Sequence, residues 1–125
     1  MGNPFVHIEL QTDDIAQAKA FYTKLFDWTL EEMPIPGMPP YTMIKVGDGT
    51  GGGMFENPDP AMPKHWLAYV DVDDIQAATD KARKLGATVL QDVTEVSNYG
   101  WFSIIKDPTG AVLGMWKTSD NHPSP

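Results

Sequence analysis

The chain has no cysteine among its 125 residues. That excludes a disulfide framework and a thiolate-bound metal. It has no apolar run near the ~18 residues of a membrane-spanning helix. Its start, Met1-Gly2-Asn3-Pro4, carries neither the basic nor the apolar region of a secretion signal. The expected setting is therefore the cytoplasm, with no membrane partner. Positive charge is scarce: nine Lys and Arg stand against 17 Asp and Glu, for a formal net charge of −8. Nucleic acid needs a basic footprint, so it is not an expected partner. The acidic balance speaks first to solubility, and an acidic cleft would also suit a cationic ligand. A hydrophobic content of 42% and a charged content of 21% belong to an ordinary globular protein, and the length fits one domain.

What is present is a repeat. Asp13-Asp14-Ile15 returns as Asp73-Asp74-Ile75, and the offset of 60 also pairs Leu10 with Val70, Ala18 with Ala78, Leu25 with Leu85, Leu30 with Leu90, Tyr41 with Trp101 and Ile44 with Ile104. The offset is read without a gap, as two copies of one supersecondary unit. Units this small bury too little surface to stand alone, so each needs a partner. The expected limits are about 4–57 for the first module, 57–64 for a proline-rich linker, 65–118 for the second module and 119–125 for a disordered tail.

Phe5 to Leu10 reads as a strand with Val6, Ile8 and Leu10 on one face and Phe5, His7 and Glu9 on the other. Asp14 is a good N-cap, with Gln17 placed to reach back in a capping box. Ile15, Ala18, Tyr22 and Leu25 share a helix face. Strands follow over Trp28–Met33, Tyr41–Val46 and Gly51–Glu56. The loop between the first two is stiffened by Pro34, Pro36, Pro39 and Pro40; it reads as a specialised site or as a tolerated insertion. Gly47-Asp48-Gly49-Thr50 is a hairpin turn and not a phosphate cradle, because no Lys-Ser/Thr or helix follows. Gly51 to Gly53 permit close approach of a ligand or another backbone. The second copy gives strands Trp66–Val72, Thr88–Val93, Trp101–Lys106 and Ala111–Trp116, a helix capped by Asp74, and Gly86 at its C′ position. Each copy is strand–helix–strand–strand–strand.

This order, with Asp13-Asp14-Ile15 opening a helix and Phe21-Tyr22-Thr23-Lys24-Leu25-Phe26-Asp27-Trp28 within and beyond it, resembles the vicinal oxygen chelate superfamily of glyoxalases, bleomycin resistance proteins and extradiol dioxygenases. Val72-Asp73-Asp74-Ile75, Leu85-Gly86-Ala87 and Asp107-Pro108-Thr109-Gly110 carry the likeness through the second half. The resemblance implies an α+β fold of two tandem βαβββ modules forming a cup-shaped mixed sheet, often in a homodimer. In the family's metalloenzymes one divalent metal sits in the cup on side chains from the first and last strand of each module. Those positions fall on His7, Met54, Leu67 and Gly114. Only His7 is a suitable donor, and a divalent ion needs at least three.

No cofactor is expected on that count. The alternative is one divalent ion (Zn, Ni, Mn or Fe) held by His7, Glu56 and His65, with Glu9 nearby, but each displacement by two residues moves a donor about 7 Å along a strand. By alternation the inward face holds Phe5, His7, Glu9, Met54, Glu56, Leu67, Tyr69, Val112, Gly114 and Trp116, with Tyr41 and Trp101 at matching places. This is an aromatic and apolar pocket with a few polar points. His7 and Glu9 form a candidate acid–base pair, or a hydrogen-bonded part of the wall. Three functions stay open: a metal-free binder of an apolar or cationic small molecule; a glyoxalase-like lyase, isomerase or dioxygenase using a displaced metal; and a metal-independent proton-transfer enzyme.

Overall fold

A computed structural model describes residues 2–37, 39–57 and 63–119. The chain divides into two compact units, residues 7–67 and the residues up to Val6 together with those from Ala68 on. Each unit carries one helix and a four-stranded run of sheet, so the α+β fold of tandem βαβββ modules holds. Among the described residues no helix is long and apolar enough to cross a membrane.

In the first module β1 (Phe5–Thr12) leads to α1 (Ile15–Leu25), then β2 (Thr29–Met33), β3 (Tyr41–Lys45) and β4 (Gly52–Glu56). The strand order is β2-β3-β4-β1, with β1 parallel to β4 and the other pairs antiparallel. Asp14 caps α1 by accepting from the Gln17 amide at 3.0 Å. The expected reciprocal bond from Gln17 is replaced: the Asp14 amide donates to Thr12 Oγ1 at 3.3 Å. Leu10, Ile44 and Met54 are buried, with Ile15, Ala18, Tyr22, Trp28 and Leu30 packed on them. Leu25, expected on that face, is instead exposed.

In the second module β5 (His65–Asp71) precedes α2 (Ile75–Lys84), β6 (Thr88–Val96), β7 (Gly100–Lys106) and β8 (Val112–Thr118). The order is β5-β8-β7-β6, and β5 runs parallel to β8. Asp74 accepts from the Ala77 amide at 3.0 Å. Gly86 closes α2 with a φ of 103°; its amide donates to Arg83 O, and the Ala87 amide to Ala82 O, which is the Schellman arrangement. Val72, Ile75, Ile105 and Met115 form the core. Thr79 and Ser103 are fully buried beside it and satisfy each other through a 2.9 Å hydrogen bond.

Strand register corrects the gapless repeat. Ile44 pairs with Leu30 and Gly52, while Ile105 pairs with Val89 and Leu113. Leu30 therefore matches Val89, an offset of 59, and Ile44 matches Ile105, an offset of 61. The caps Asp14 and Asp74 keep 60. The connection after the helix is shorter by one residue in the second module, and β6 absorbs the later surplus in irregular pairing around Gln91 and Thr94. A one-residue slip turns every side chain to the other face of a sheet, so the change decides which residues can share a site.

The expected linker and tail fall mostly on 58–62 and 120–125, outside the described residues, as does His122. Ser119, the first residue of that expected tail, donates its amide to Tyr99 O at 2.8 Å.

Candidate functional site

Alternation along β1 sends Leu10 into the α1-side core and sends His7, Glu9 and Gln11 to the opposite face. Three polar side chains thus stand in a row, and Glu9 and Gln11 are buried. Buried polar groups need partners, and these supply one another. Tyr41, the first residue of β3, places its hydroxyl 2.6 Å from His7 Nε2 and donates to Glu9 Oε2 at 2.8 Å. Glu9 Oε1 accepts from Gln11 Nε2 at 2.9 Å, and Gln11 Oε1 accepts from Asn57 Nδ2 at 3.2 Å. The result is a continuous chain, His7–Tyr41–Glu9–Gln11–Asn57.

The direction of the protons follows from the donors available. Tyr41 has one hydroxyl proton, and it goes to the Glu9 carboxylate. The phenol oxygen then accepts from His7 Nε2–H, which assigns the tautomer and leaves the imidazole lone pair on Nδ1. Burial holds the His7 pKa at about 4, down from 6.5, because a cation is disfavoured where water is excluded. His7 is therefore neutral at pH 7, and the Tyr41 hydroxyl, bonded on both sides, links an imidazole to a carboxylate. Such an arrangement can hold a polar ligand group or hand on a proton.

A close approach fixes Tyr41. In the parallel pairing of β1 with β4, Glu9 lies opposite Gly53, and a Cβ at Gly53 would collide with the Tyr41 ring. The second module repeats the device: Tyr69 lies opposite Gly114, and a Cβ at Gly114 would collide with the Tyr69 ring. Glycine in each closing strand thus makes room for a tyrosine. The sequence reading expected close approach at Gly53 by a ligand or a backbone; a tyrosine ring fills it.

Of the residues expected to share a pocket, His7, Glu9 and Tyr41 come together in the first unit. Tyr69 and Gly114 come together in the second, where Tyr69 also meets Phe102 edge-on at 6.5 Å. Trp116 is paired with Phe102 and Asp71, and its Nε1 donates to Thr118 Oγ1 at 2.9 Å. Leu67 is buried, whereas Phe5 and Val112 are exposed. Three placements are corrected. Met54 lies in the α1-side core, 1% exposed. Glu56 follows Met54 by two residues and takes the same side of the sheet, away from His7, and is exposed. Trp101 packs into the α2-side core; Phe102 holds the place that corresponds to Tyr41. The sequence reading also passed over Gln11, although the period of two from His7 and Glu9 pointed to it, and Asn57, which it counted as linker.

His7, Glu56 and His65, the donors of the alternative ion site, are not gathered at one point among the described residues. His7 Nε2 is engaged by Tyr41, and both Glu9 oxygens accept from neighbouring donors. Glu56 faces the other way, and His65 Nδ1 lies 2.8 Å from Pro63 O. Among the described residues no three His, Cys, Asp or Glu side chains gather where an ion could bind.

Comparison with known proteins agrees with the geometry of the modules. Residues 5–115 match the model of the Glyoxalase/Bleomycin resistance protein/Dioxygenase superfamily. "Putative glyoxylase CFP32" of Mycobacterium tuberculosis is 35% identical over 116 residues, covering 90% of this chain and 44% of that protein. "Anthracycline biosynthesis protein DnrV" of Streptomyces peucetius is 28% identical over 123 residues, covering 87% of this chain and 45% of that protein. The chain thus spans less than half the length of these curated relatives. Among solved structures, a hypothetical protein, BH1468 of Bacillus halodurans C-125, superposes with a TM-score of 0.74 at 12% identity over 99% of this chain and all of that one. Methylmalonyl-CoA epimerase from Mycobacterium tuberculosis gives 0.70 at 14% identity over 92% and 87%. With two βαβββ modules and a family model matched from Phe5 to Met115, the chain belongs to the glyoxalase/bleomycin resistance protein/dioxygenase superfamily.

Proposed function

We propose that this chain is a small-molecule-binding member of the superfamily in which a hydrogen-bonded relay stands where the metalloenzymes hold an ion. The observation that carries the reading is Tyr41: its ring fills the space over Gly53, and its hydroxyl ties His7 to Glu9. A side chain from β4 cannot reach the same point, so the usual convergence of donors from first and last strands is replaced by an organic polar surface. That surface offers neutral imidazole, phenol and carboxylate, which suit a ligand with hydroxyl, carbonyl or cationic nitrogen groups. The names of the relatives, a glyoxylase and an anthracycline biosynthesis protein, support a small organic ligand. We place the protein in the cytoplasm and expect a homodimer, the assembly that the family resemblance implies.

The test is elemental analysis and thermal denaturation of the purified chain with and without Zn²⁺, Ni²⁺, Mn²⁺ or Fe²⁺. The expected result is no stoichiometric metal and no metal-dependent rise in Tm, with a rise on adding a carbonyl or amine ligand that Tyr41→Phe removes. A tightly held ion, one per chain and lost in His7→Ala, would overturn the reading. Light scattering checks the dimer, expected at about twice 13.8 kDa.

The Tyr41 bridge favours one further reading, metal-independent proton transfer. His7, neutral with its lone pair on Nδ1, would accept a proton from a bound carbon or oxygen acid, and Glu9 through Tyr41 would stabilise the imidazolium. For any activity found, a kcat unchanged in both His7→Ala and Tyr41→Phe would remove it.

A further inference from the structure

The first unit has a recess on the α1 side of its sheet, and its walls share no residue with the relay. It is open to solvent and offers about 270 Å³. Tyr22, Phe26, Trp28 and Trp66 form its aromatic walls, and Gly51 and Gly52 lie in its floor without side chains. Tyr22 and Trp28 stack at 5.6 Å with planes 27° apart. Trp66 crosses both edge-on, at 80° to Tyr22 and 74° to Trp28, and Phe26 lies 4.9 Å from Trp28. Flat walls thus meet a perpendicular one, which is a corner shaped for a planar body. The rings are not sealed in a core, since Phe26 is 46% and Trp66 40% exposed.

The polar groups of the recess are all neutral: the Tyr22 and Thr50 hydroxyls and the indole N–H groups of Trp28 and Trp66. No residue lining it carries a charge, although the whole chain stands at −8. The Tyr22 hydroxyl and the Trp28 and Trp66 indole N–H groups have no hydrogen-bond partner among the described residues. Indole N–H groups only donate, and buried or bound tryptophans normally find an acceptor. The complement is a neutral, flat molecule with acceptor oxygens. The volume lies just below the usual span of ~300–1,000 Å³ for ligand sites, which suits a body of about two fused rings.

We infer that this recess is a binding site for a neutral bicyclic aromatic compound bearing carbonyl oxygens, separate from the relay and on the opposite face of the sheet. The test uses 2-methyl-1,4-naphthoquinone as the probe. With no cysteine in the chain, quenching of tryptophan fluorescence reports binding free of thiol addition. Saturable quenching at one probe per chain is expected, with affinity at least tenfold lower in Trp66→Ala and severalfold lower in Tyr22→Phe, which keeps the ring and removes the donor. His7→Ala should keep the wild-type affinity, and a sulfonated naphthoquinone should bind more weakly because the recess has no cation to meet it.

Quenching that never saturates, or an affinity unchanged in both Trp66→Ala and Tyr22→Phe, would overturn the assignment. So would loss of probe binding in His7→Ala, which would place the probe at the relay. Light scattering supplies the last arm: a dimer that falls to a monomer in Trp66→Ala would give this face to a second copy of the chain and refute the small-molecule site. A failure of metal-free ligand binding at the relay would leave all of these readouts intact.

Discussion

His7 is the residue whose state the fold changes most. Its ring is largely withdrawn from water, and the pKa drops from 6.5 to about 4. Between those values the unfolded chain binds a proton that the folded chain does not, so stability rises with pH across that window and is lost as pH falls through it. The shift corresponds to a loss on the order of 3 kcal/mol by pH 4. Urea unfolding from pH 7.5 down to 4.5 should show a falling midpoint, and His7→Asn should flatten the slope. Tyr41→Phe acts at the same point by a different route. It takes the hydroxyl donor from Glu9 Oε2 and the acceptor from His7 Nε2, and losing a buried partner costs about 1–3 kcal/mol. The loss should appear in the urea midpoint with the m-value unchanged. Glu56→Gln, by contrast, should fall within about 0.5 kcal/mol of wild type, as surface changes do, because Glu56 is exposed and lies off the His7 face.

At the scale of elements, the two modules use one recipe with different endings. Each helix starts on the second Asp of a pair, and each closing strand gives a glycine to a tyrosine ring. Asp14→Ala and Asp74→Ala should each cost about 1 kcal/mol, the usual worth of an N-cap, read from thermal unfolding. Gly53→Ala should cost more, about 1–3 kcal/mol as overpacking does, because the added carbon meets the Tyr41 ring rather than solvent. It should also break the relay, so ligand binding and stability would fall together. The helices end differently because only the second has glycine at C′. Gly86 adopts a φ of 103°, which any other residue would hold at a cost, whereas α1 ends on Phe26 in an extended conformation. That difference accompanies the one-residue change in length after the helices.

At the scale of the molecule, the charge of −8 leads to a simple expectation: no shift of duplex or single-stranded DNA in a gel at physiological salt, since binding there depends on neutralising phosphates. The family, the two modules and the helix starts were legible from local signals, because caps, turns and apolar periodicity act over a few residues and survive in any surroundings. His7, Glu9 and Tyr41 were legible as members of one face for the same reason: alternation along a strand is local. The partners across strands were not. Trp101 was assigned to that face by a fixed offset of 60, and Met54 and Glu56 by the family's last-strand position; register put all three on the other side, because a slip of one residue reverses every face beyond it. Gln11 and Asn57 entered the relay only when β1 met the end of β4. The sequence by itself determined which segments become strands and helices, since that depends on neighbours in the chain; only the tertiary structure decided which side chains meet, since that depends on register between strands that are distant in sequence.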